Sequence, residues 1–303
     1  MTYICYQDKN FRGDTLAVIN KANEIIEGYQ AQGFTLTLRQ LYYQFISRDI
    51  FPNTEQSYNR LGSIITDARL AGLVSWDAIE DRGRGVKGWL IEENEADALE
   101  DIEYRFALDL WRRQNVYVEV WVEKEALSSV IERPCRRRLV PYMACKGYLS
   151  ASEAWRSGRR YEEALEEGRE CVLIHLGDHD PSGIDMTRDN AGRLELFARE
   201  RIDVRRIALN MPQVELYNPP PNPAKMTDSR ASDYVANFGR TSWELDALES
   251  SIIADLITTE VESLIDDDLW ADTLQEQSER RAELAKLHSN WPAVAEFLKD
   301  IEA

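Results

Sequence analysis

The feature that most constrains the fold is an alternation of short apolar runs with amphipathic stretches between residues 116 and 209. "NVYVEVWVEKEAL" alternates strictly, with Val116, Val118, Val120 and Val122 on one face, and turns helical at Lys124. "LVPYMAC" reads as a second strand, "SASEAWRSGRRYEEALEEG" as a helix and "ECVLIHLGD" as a third strand. "SGIDMTRDNAGRLELFARER" then reads as a helix and "VRRIALN" as a fourth strand. Strands interleaved with helices pair in parallel and are wrapped by those helices, which predicts an α/β fold. In such sheets the working side chains collect at the carboxyl ends of the strands.

Glu123 falls at the carboxyl end of the first strand, and Asp178 and Asp180 at that of the third. Three carboxylates from two strand ends can converge on one cation. Hard oxygen ligands without His or Cys favour magnesium (Mg2+). Pro181 and Gly183 turn the chain into the next helix, whose first amides favour a nearby phosphate. The plainer reading, that the two aspartates only cap that helix, stays open. His179, between them, is expected on the other side of the turn.

The first third has a different rhythm. Leu16, Ile19, Ala22 and Ile26 share a helical face, with Asp14 as N-cap and Gly33 as stop. Leu38, Leu41, Tyr42 and Phe45 mark a second helix, and "TEQSYNRLGSIITDARLAG" a third, opened by Thr54 and Ser57. "LVSWDAIEDRGRGVKGW" follows as an extended, looped hairpin. This order predicts a winged helix-turn-helix over residues 1–112, with Arg60 and Arg69 on the third helix and Arg82 and Arg84 in the wing facing DNA. A helical bundle without a ligand is the alternative. "EENEADALEDIEYRFALDLWRRQ" reads as one long acidic helix leading into a second domain, 113–303.

Charge is segregated along the chain. The net charge of −18 argues against a protein that coats nucleic acid, since phosphate binding rests on Lys and Arg. Residues 241–303, however, carry 16 acidic and 4 basic side chains, so most of the excess sits at one end. "RPCRRR", with Arg136, Arg137 and Arg138, and Lys146 form a basic stretch that can track a DNA backbone or end a solvated helix. "YNPPPNPAKMTDSR" is a stiff connection, and "SWELDALES" with "IIADLITTEVESLIDDDLW" reads as amphipathic helices of an acidic C-terminal extension that packs on a second copy or repels stray nucleic acid. The four cysteines form no C-x-x-C pair, so neither a zinc site nor a disulfide framework is expected. No apolar run approaches the roughly 20 residues that cross a bilayer, and the first residues lack the apolar core of a secretion signal. A cytoplasmic protein is expected, nucleoid-associated or encoded by a phage or plasmid, with no membrane partner.

Four segments carry a resemblance. "RQLYY" at 39–43, "VEKEAL" at 122–127, "KGYLSASEAW" at 146–155 and "GDHDPSG" at 177–183 resemble, in order, the motifs of the topoisomerase VI A-subunit family, which includes the meiotic double-strand-break transesterase. That group joins a winged-helix domain of the catabolite-activator type to a Toprim domain. The resemblance implies that Tyr43 is the nucleophile, that Arg39 sits beside the scissile phosphate, and that Glu123, Asp178 and Asp180 hold magnesium. Lys124 and Gly147 would line the site. Gln40 stands where the group usually has an acidic residue and Ser182 where an aromatic one is common.

The resemblance implies a magnesium-dependent cleavage of double-stranded DNA through a phosphotyrosyl link, performed by a homodimer in which the tyrosine of one protomer works on the metal site of its twofold mate. No Gly-rich nucleotide loop is identifiable, so any ATP use would come from a separate ATPase subunit. Two other readings stand beside it: a Toprim nuclease in which metal-activated water is the nucleophile, and a non-catalytic DNA-binding subunit.

Overall fold

The computed structural model describes residues 2–80, 89, 91–224 and 230–301. Helices α1 (Gly13–Ala31), α2 (Leu38–Ile46) and α3 (Glu55–Leu70) enclose a core of their own built from Ile19, Ile26, Leu41, Phe45, Leu61 and Ile65. α1 starts one residue before Asp14, with Arg12 as its cap, and ends through Gly33 at φ 79°, where a side chain would be strained. α2 carries a full capping box: Thr37 Oγ1 accepts from the Gln40 N–H and Gln40 Oε1 from the Thr37 N–H. Gln40 has thus become a local structural residue.

The segment after α3 departs from the expected hairpin. Its described part holds a 3-10 turn at Trp76–Ala78 and one parallel bridge from Leu36 to Ile79. The remainder, with Arg82 and Arg84, lies outside the described residues. The long acidic helix is also shorter than expected. α4 (Glu95–Arg105) stops at Phe106, because the chain turns there to bury Leu110 and Trp111.

The sheet follows the predicted alternation. β1 (Val116–Val122), α5 (Ser128–Arg138), β2 (Tyr142–Ala144), α6 (Ala151–Glu166), β3 (Glu170–Leu176), α7 (Pro181–Ala198) and β4 (Asp203–Ala208) build a parallel sheet in the order β2-β1-β3-β4. Val118, Val120 and Val122 meet Val172, Ile174 and Leu176 on one face, under α5. Trp121 and Leu173 pack on the other, under α6 and α7. Within that second face Glu119 is buried, held by Arg160 Nε at 2.7 Å, Trp121 Nε1 at 2.7 Å and the Tyr117 hydroxyl at 2.6 Å. A buried carboxylate is tolerated only with such a full set of donors.

Beyond β4 come α8 (Met211–Tyr217), a small antiparallel pair β5 (Asn222–Pro223) and β6 (Thr241–Ser242) around α9 (Ala231–Phe238), then α10 (Ser250–Glu262), α11 (Asp267–Ser289) and α12 (Trp291–Ile301). Two expectations change here. "SWELDALES" is no helix: β6 runs into a 3-10 turn at Leu245–Ala247. α10 is no outlying extension either, since Ile253, Ile257 and Val261 fill the core beside α5 and complete the second helical layer. Its charged face and the apolar face differ, and the apolar one decides where it sits. α11 packs back on α4. No described helix is long and apolar enough to cross a membrane.

Candidate active site

The register of the sheet sets two acidic turns side by side. Val122 pairs with Leu176, so Glu123 and Gly177 leave their strands together, and Glu123 N–H donates to the Leu176 carbonyl at 2.9 Å. The next turn is bound to the first: the Asp178 N–H donates to Glu123 Oε2 at 2.9 Å. Asp180 caps α7, with Oδ1 accepting from the Gly183 N–H at 2.6 Å and the Ser182 hydroxyl at 2.9 Å. Gly183 is required by closeness: a Cβ there would lie 2.2 Å from the Asp178 carbonyl and 3.0 Å from Glu123 Oε2.

Arg206, on β4, ties this turn from beneath. Its Nη2 donates to the carbonyls of Gly177 at 2.9 Å and Asp178 at 2.6 Å, and its Nη1 to the Gly183 carbonyl at 3.0 Å. Burial lowers its pKa to about 10. His179 turns away as expected: Nδ1 lies 2.8 Å from the Tyr234 hydroxyl, and the ring meets Phe238 and Trp243.

A strap from the C-terminal part of the chain closes the other side. Trp243 and His179 exchange backbone hydrogen bonds at 2.8 and 3.0 Å, which lays residues 243–246 along the aspartate turn. The Leu245 N–H donates to Asp178 Oδ1 at 2.8 Å, and Lys124 Nζ sits 2.9 Å from Asp178 Oδ2. The same ammonium lies 2.8 Å from Glu244 Oε2 and 3.0 Å from Asp246 Oδ1. Burial works against this charge, but Asp246, Asp178 and Glu244 together hold Lys124 protonated far beyond its ordinary range.

Arg39 joins α2 to the strap. It pairs with Glu244, and its Nε lies 3.2 Å from Asp246 Oδ2. Its Nη2 stands 3.3 Å from the Tyr43 hydroxyl. Tyr43 is buried on α2, and burial raises its phenol pKa, with the Asp246 and Glu244 charges adding to the rise against Arg39. Tyr42 is structural: its hydroxyl bonds both the carbonyl and the N–H of Thr54 at 2.8 Å. Arg39, Tyr42, Tyr43, Tyr58, Asn222 and Glu244 line a hollow of about 270 Å³.

The structure therefore gathers Arg39, Tyr43, Glu123, Lys124, Asp178 and Asp180 of one chain, whereas the resemblance implies a tyrosine that works on the metal site of a twofold mate. Gly147, at φ 95°, donates its N–H to the Glu123 carbonyl at 3.3 Å. The three-carboxylate ligand set is not assembled. Asp178 spends one oxygen on Lys124 and the other on Leu245, and among the described residues no three His, Cys, Asp or Glu side chains form a metal-holding group. Glu123 Oε2 and Asp180 Oδ1 each accept from a backbone N–H, and their carboxylates are the kind of hard oxygen donor that suits magnesium. Burial raises the Glu123 pKa and the Asp180 charge adds to it, against the Asp178 N–H and the Lys124 and Arg206 charges. Burial pushes Asp178 up to about 7, with Lys124 pulling it down.

The expected DNA-facing cations divide. Arg60 is exposed on α3, over the Phe51 ring. Arg69 is turned inward, donating to the Trp76 carbonyl at 2.6 Å and stacking on that indole. Lys146 pairs with Glu125 at 2.6 Å. Arg136, Arg137 and Arg138 end α5, which runs back from the Glu123 end of β1. The Arg138 carbonyl accepts from Trp111, just before β1 begins, so this cluster lies at the amino end of the sheet, away from the carboxylates. Arg138 also pairs with Glu262 and so holds α10.

Glu244, Asp246 and Arg206 are site residues that the sequence reading missed. "WELDA" repeats the spacing of "GDHD", two carboxylates one residue apart, but helical patterning in an acidic region obscured it. Compared with models of known protein families and with curated proteins, the chain matches none.

Proposed function

We propose that this chain is a magnesium-dependent DNA transesterase of the topoisomerase VI A-subunit kind, built from a winged-helix-like domain and a Toprim-like sheet domain. The observation that carries the reading is that the Tyr43 hydroxyl and the strand-end carboxylates belong to one continuous chain of contacts, Tyr43–Arg39–Glu244–Lys124–Asp178. The ion pairs in this chain of contacts also hold the strap in place, and they leave the phenol beside a guanidinium. Phenol, guanidinium and carboxylates together are the parts that phosphoryl transfer to a tyrosine needs.

In this reading the Tyr43 oxygen forms a bond to a DNA phosphorus. The bond from phosphorus to a deoxyribose oxygen breaks, and that oxygen takes up a proton. Arg39 stabilises the phenolate, since an unperturbed phenol with a pKa of about 10 is a weak nucleophile at neutral pH. Lys124 and Arg39 face the charge that grows on the phosphoryl oxygens. Glu123 and Asp180 would hold magnesium, which when bound offsets that same charge. Cutting both strands takes two sites, so the working unit is a homodimer on double-stranded DNA.

Incubation with supercoiled plasmid and magnesium, followed by a denaturing gel with and without protease, tests the reading. The expected result is DNA carrying covalently attached protein, absent in Tyr43→Phe. Cleaved DNA with free ends from Tyr43→Phe would replace the reading with a nuclease that uses water.

A further inference from the structure

The Glu244 carboxylate is surrounded by donors. Oε2 meets Arg39 Nη2 and Lys124 Nζ, and Oε1 accepts from Asn222 Nδ2 at 3.4 Å. Tyr43 lines the same hollow. Two anionic oxygens held by a guanidinium, an ammonium and an amide are the arrangement in which proteins hold the two non-bridging oxygens of a phosphodiester.

Glu244 differs from its neighbours in accessibility. Its side chain is 24% exposed, whereas those of Asp246 and Asp178 are 1% and 8% exposed. The two buried carboxylates fix Lys124 and the strap. Glu244 reaches the same cations from the solvent side, so exchanging it for another anion exposes no buried charge.

Charge favours such an exchange. Arg39 and Lys124 already face the carboxylates of Asp178, Glu244 and Asp246. A phosphodiester brought to the same two cations would meet the Glu244 charge at close range. Moving Glu244 outward relieves that repulsion.

We propose that Glu244 is a resident stand-in for the substrate phosphate: its carboxylate occupies the anion position framed by Arg39, Lys124 and Asn222, and a DNA phosphodiester must displace it to reach Tyr43. The identity of the displacing anion as a DNA phosphate rests on the transesterase reading; the anion position itself does not. Burial disfavours a charged Glu244, yet Lys124 and Arg39 hold its pKa down at about 2, so the carboxylate is a full anion competitor at every physiological pH. The same contact ties the strap to Arg39 and Lys124, so an incoming phosphate competes with it.

The test uses the full chain and two probes. A fluorescent 20-bp duplex is titrated by anisotropy at fixed salt into the parent, Glu244→Gln and Glu249→Gln. Glu249 is exposed on the same segment and makes no contact with Arg39 or Lys124 among the described residues, so it controls for net charge. Glu244→Gln is expected to bind about tenfold tighter, the scale of one relieved charge contact, with Glu249→Gln within about twofold of the parent. The gain should vanish when Arg39→Gln is added. In parallel, inorganic phosphate should raise the melting temperature of Glu244→Gln and leave the parent unmoved.

Equal tightening by both glutamine variants would reduce the effect to bulk charge and overturn the inference. Unchanged or weaker binding by Glu244→Gln, with no phosphate response, would overturn it too, even if the parent forms the covalent adduct. Conversely, a phosphate response confined to Glu244→Gln without duplex binding by any variant would uphold the anion position and remove DNA from the reading. Glu244→Ala, compared for melting temperature, guards against a folding defect specific to glutamine.

Discussion

Lys124 Nζ stands 2.9 Å from Asp178 Oδ2 and bridges that aspartate to the strap. The lysine is the internal counter-ion that lets three carboxylates, Asp178, Glu244 and Asp246, approach one another. It also explains why the Asp178 turn and the Glu244 strap lie together: one ammonium bridges both.

Removing that ammonium should therefore unfold the region before it alters chemistry. Lys124→Met keeps the length of the stem but leaves Asp178 and Asp246 buried without their partner, and breaking a buried pair costs about 3 kcal/mol. Urea unfolding at about pH 9, above the parent Asp178 value, should show this loss. Asp178 would then ionise less readily than the parent's value of about 7, so the deficit should shrink as pH falls and the carboxylate is neutralised. A deficit independent of pH would mean that Lys124 contributes through packing alone.

Two glycines of α7 should respond oppositely to alanine. At Gly183 the added methyl meets the Asp178 carbonyl and Glu123, so Gly183→Ala must push the aspartate turn off the first strand, at about 2 kcal/mol. At Gly192 nothing lies within 4 Å of the new Cβ, so Gly192→Ala should stabilise the helix by about 0.5–1 kcal/mol. Thermal unfolding compares the two directly. In the transesterase reading, Gly183→Ala should also lose DNA cleavage, whereas Gly192→Ala should keep it.

Much of the sheet was legible because its signals are local. Alternation in β1 and the apolar run of β3 reflect burial on two faces, and Pro181 and Gly183 mark the turn where α7 begins. The strap was illegible for the opposite reason. Glu244 and Asp246 reach the site through one backbone bridge between Trp243 and His179, a pairing 64 residues apart with no periodicity to announce it. α10 misled in a related way: it sits in an acidic stretch of sequence, while Ile253, Ile257 and Val261 decide its place. The basic "RRR" run likewise says nothing of direction, and only the reversal of α5 against β1 sends it to the far end of the sheet.

Arg60 and Arg69 share a helix but not a task. Arg69 holds the Trp76 carbonyl and indole, so Arg69→Ala should cost about 1–2 kcal/mol of stability, the range for a charged hydrogen bond lost with its stacking. Arg60 is exposed, so Arg60→Ala should leave stability within about 0.5 kcal/mol. If α3 faces DNA, Arg60→Ala alone should lower the salt dependence of duplex binding by about one unit of log K against log salt. Equal loss of binding from both variants at matched folding would place Arg69 at the DNA as well.

His175 gives the fold an acid limit. Buried on β3 with Nδ1 2.8 Å from the Thr187 hydroxyl, it is kept neutral by burial and by the nearby Arg206 charge, which lower its pKa to about 3. An unfolded histidine titrates near 6.5, so below that pH the unfolded chain gains a proton that the fold refuses. The sign follows: this contribution is complete above about pH 6.5 and is lost as pH falls toward 3, at about 1.4 kcal/mol per pH unit. Urea midpoints from pH 7.5 to 4.5 should thus fall faster in the parent than in His175→Asn, which keeps a polar group toward Thr187 but takes up no proton. The His179 ring, held down at about 4 first by its own burial, should leave a residual slope in the variant. Parallel curves for parent and His175→Asn would mean that His175 is protonated inside the fold, with Arg206 displaced from the aspartate turn.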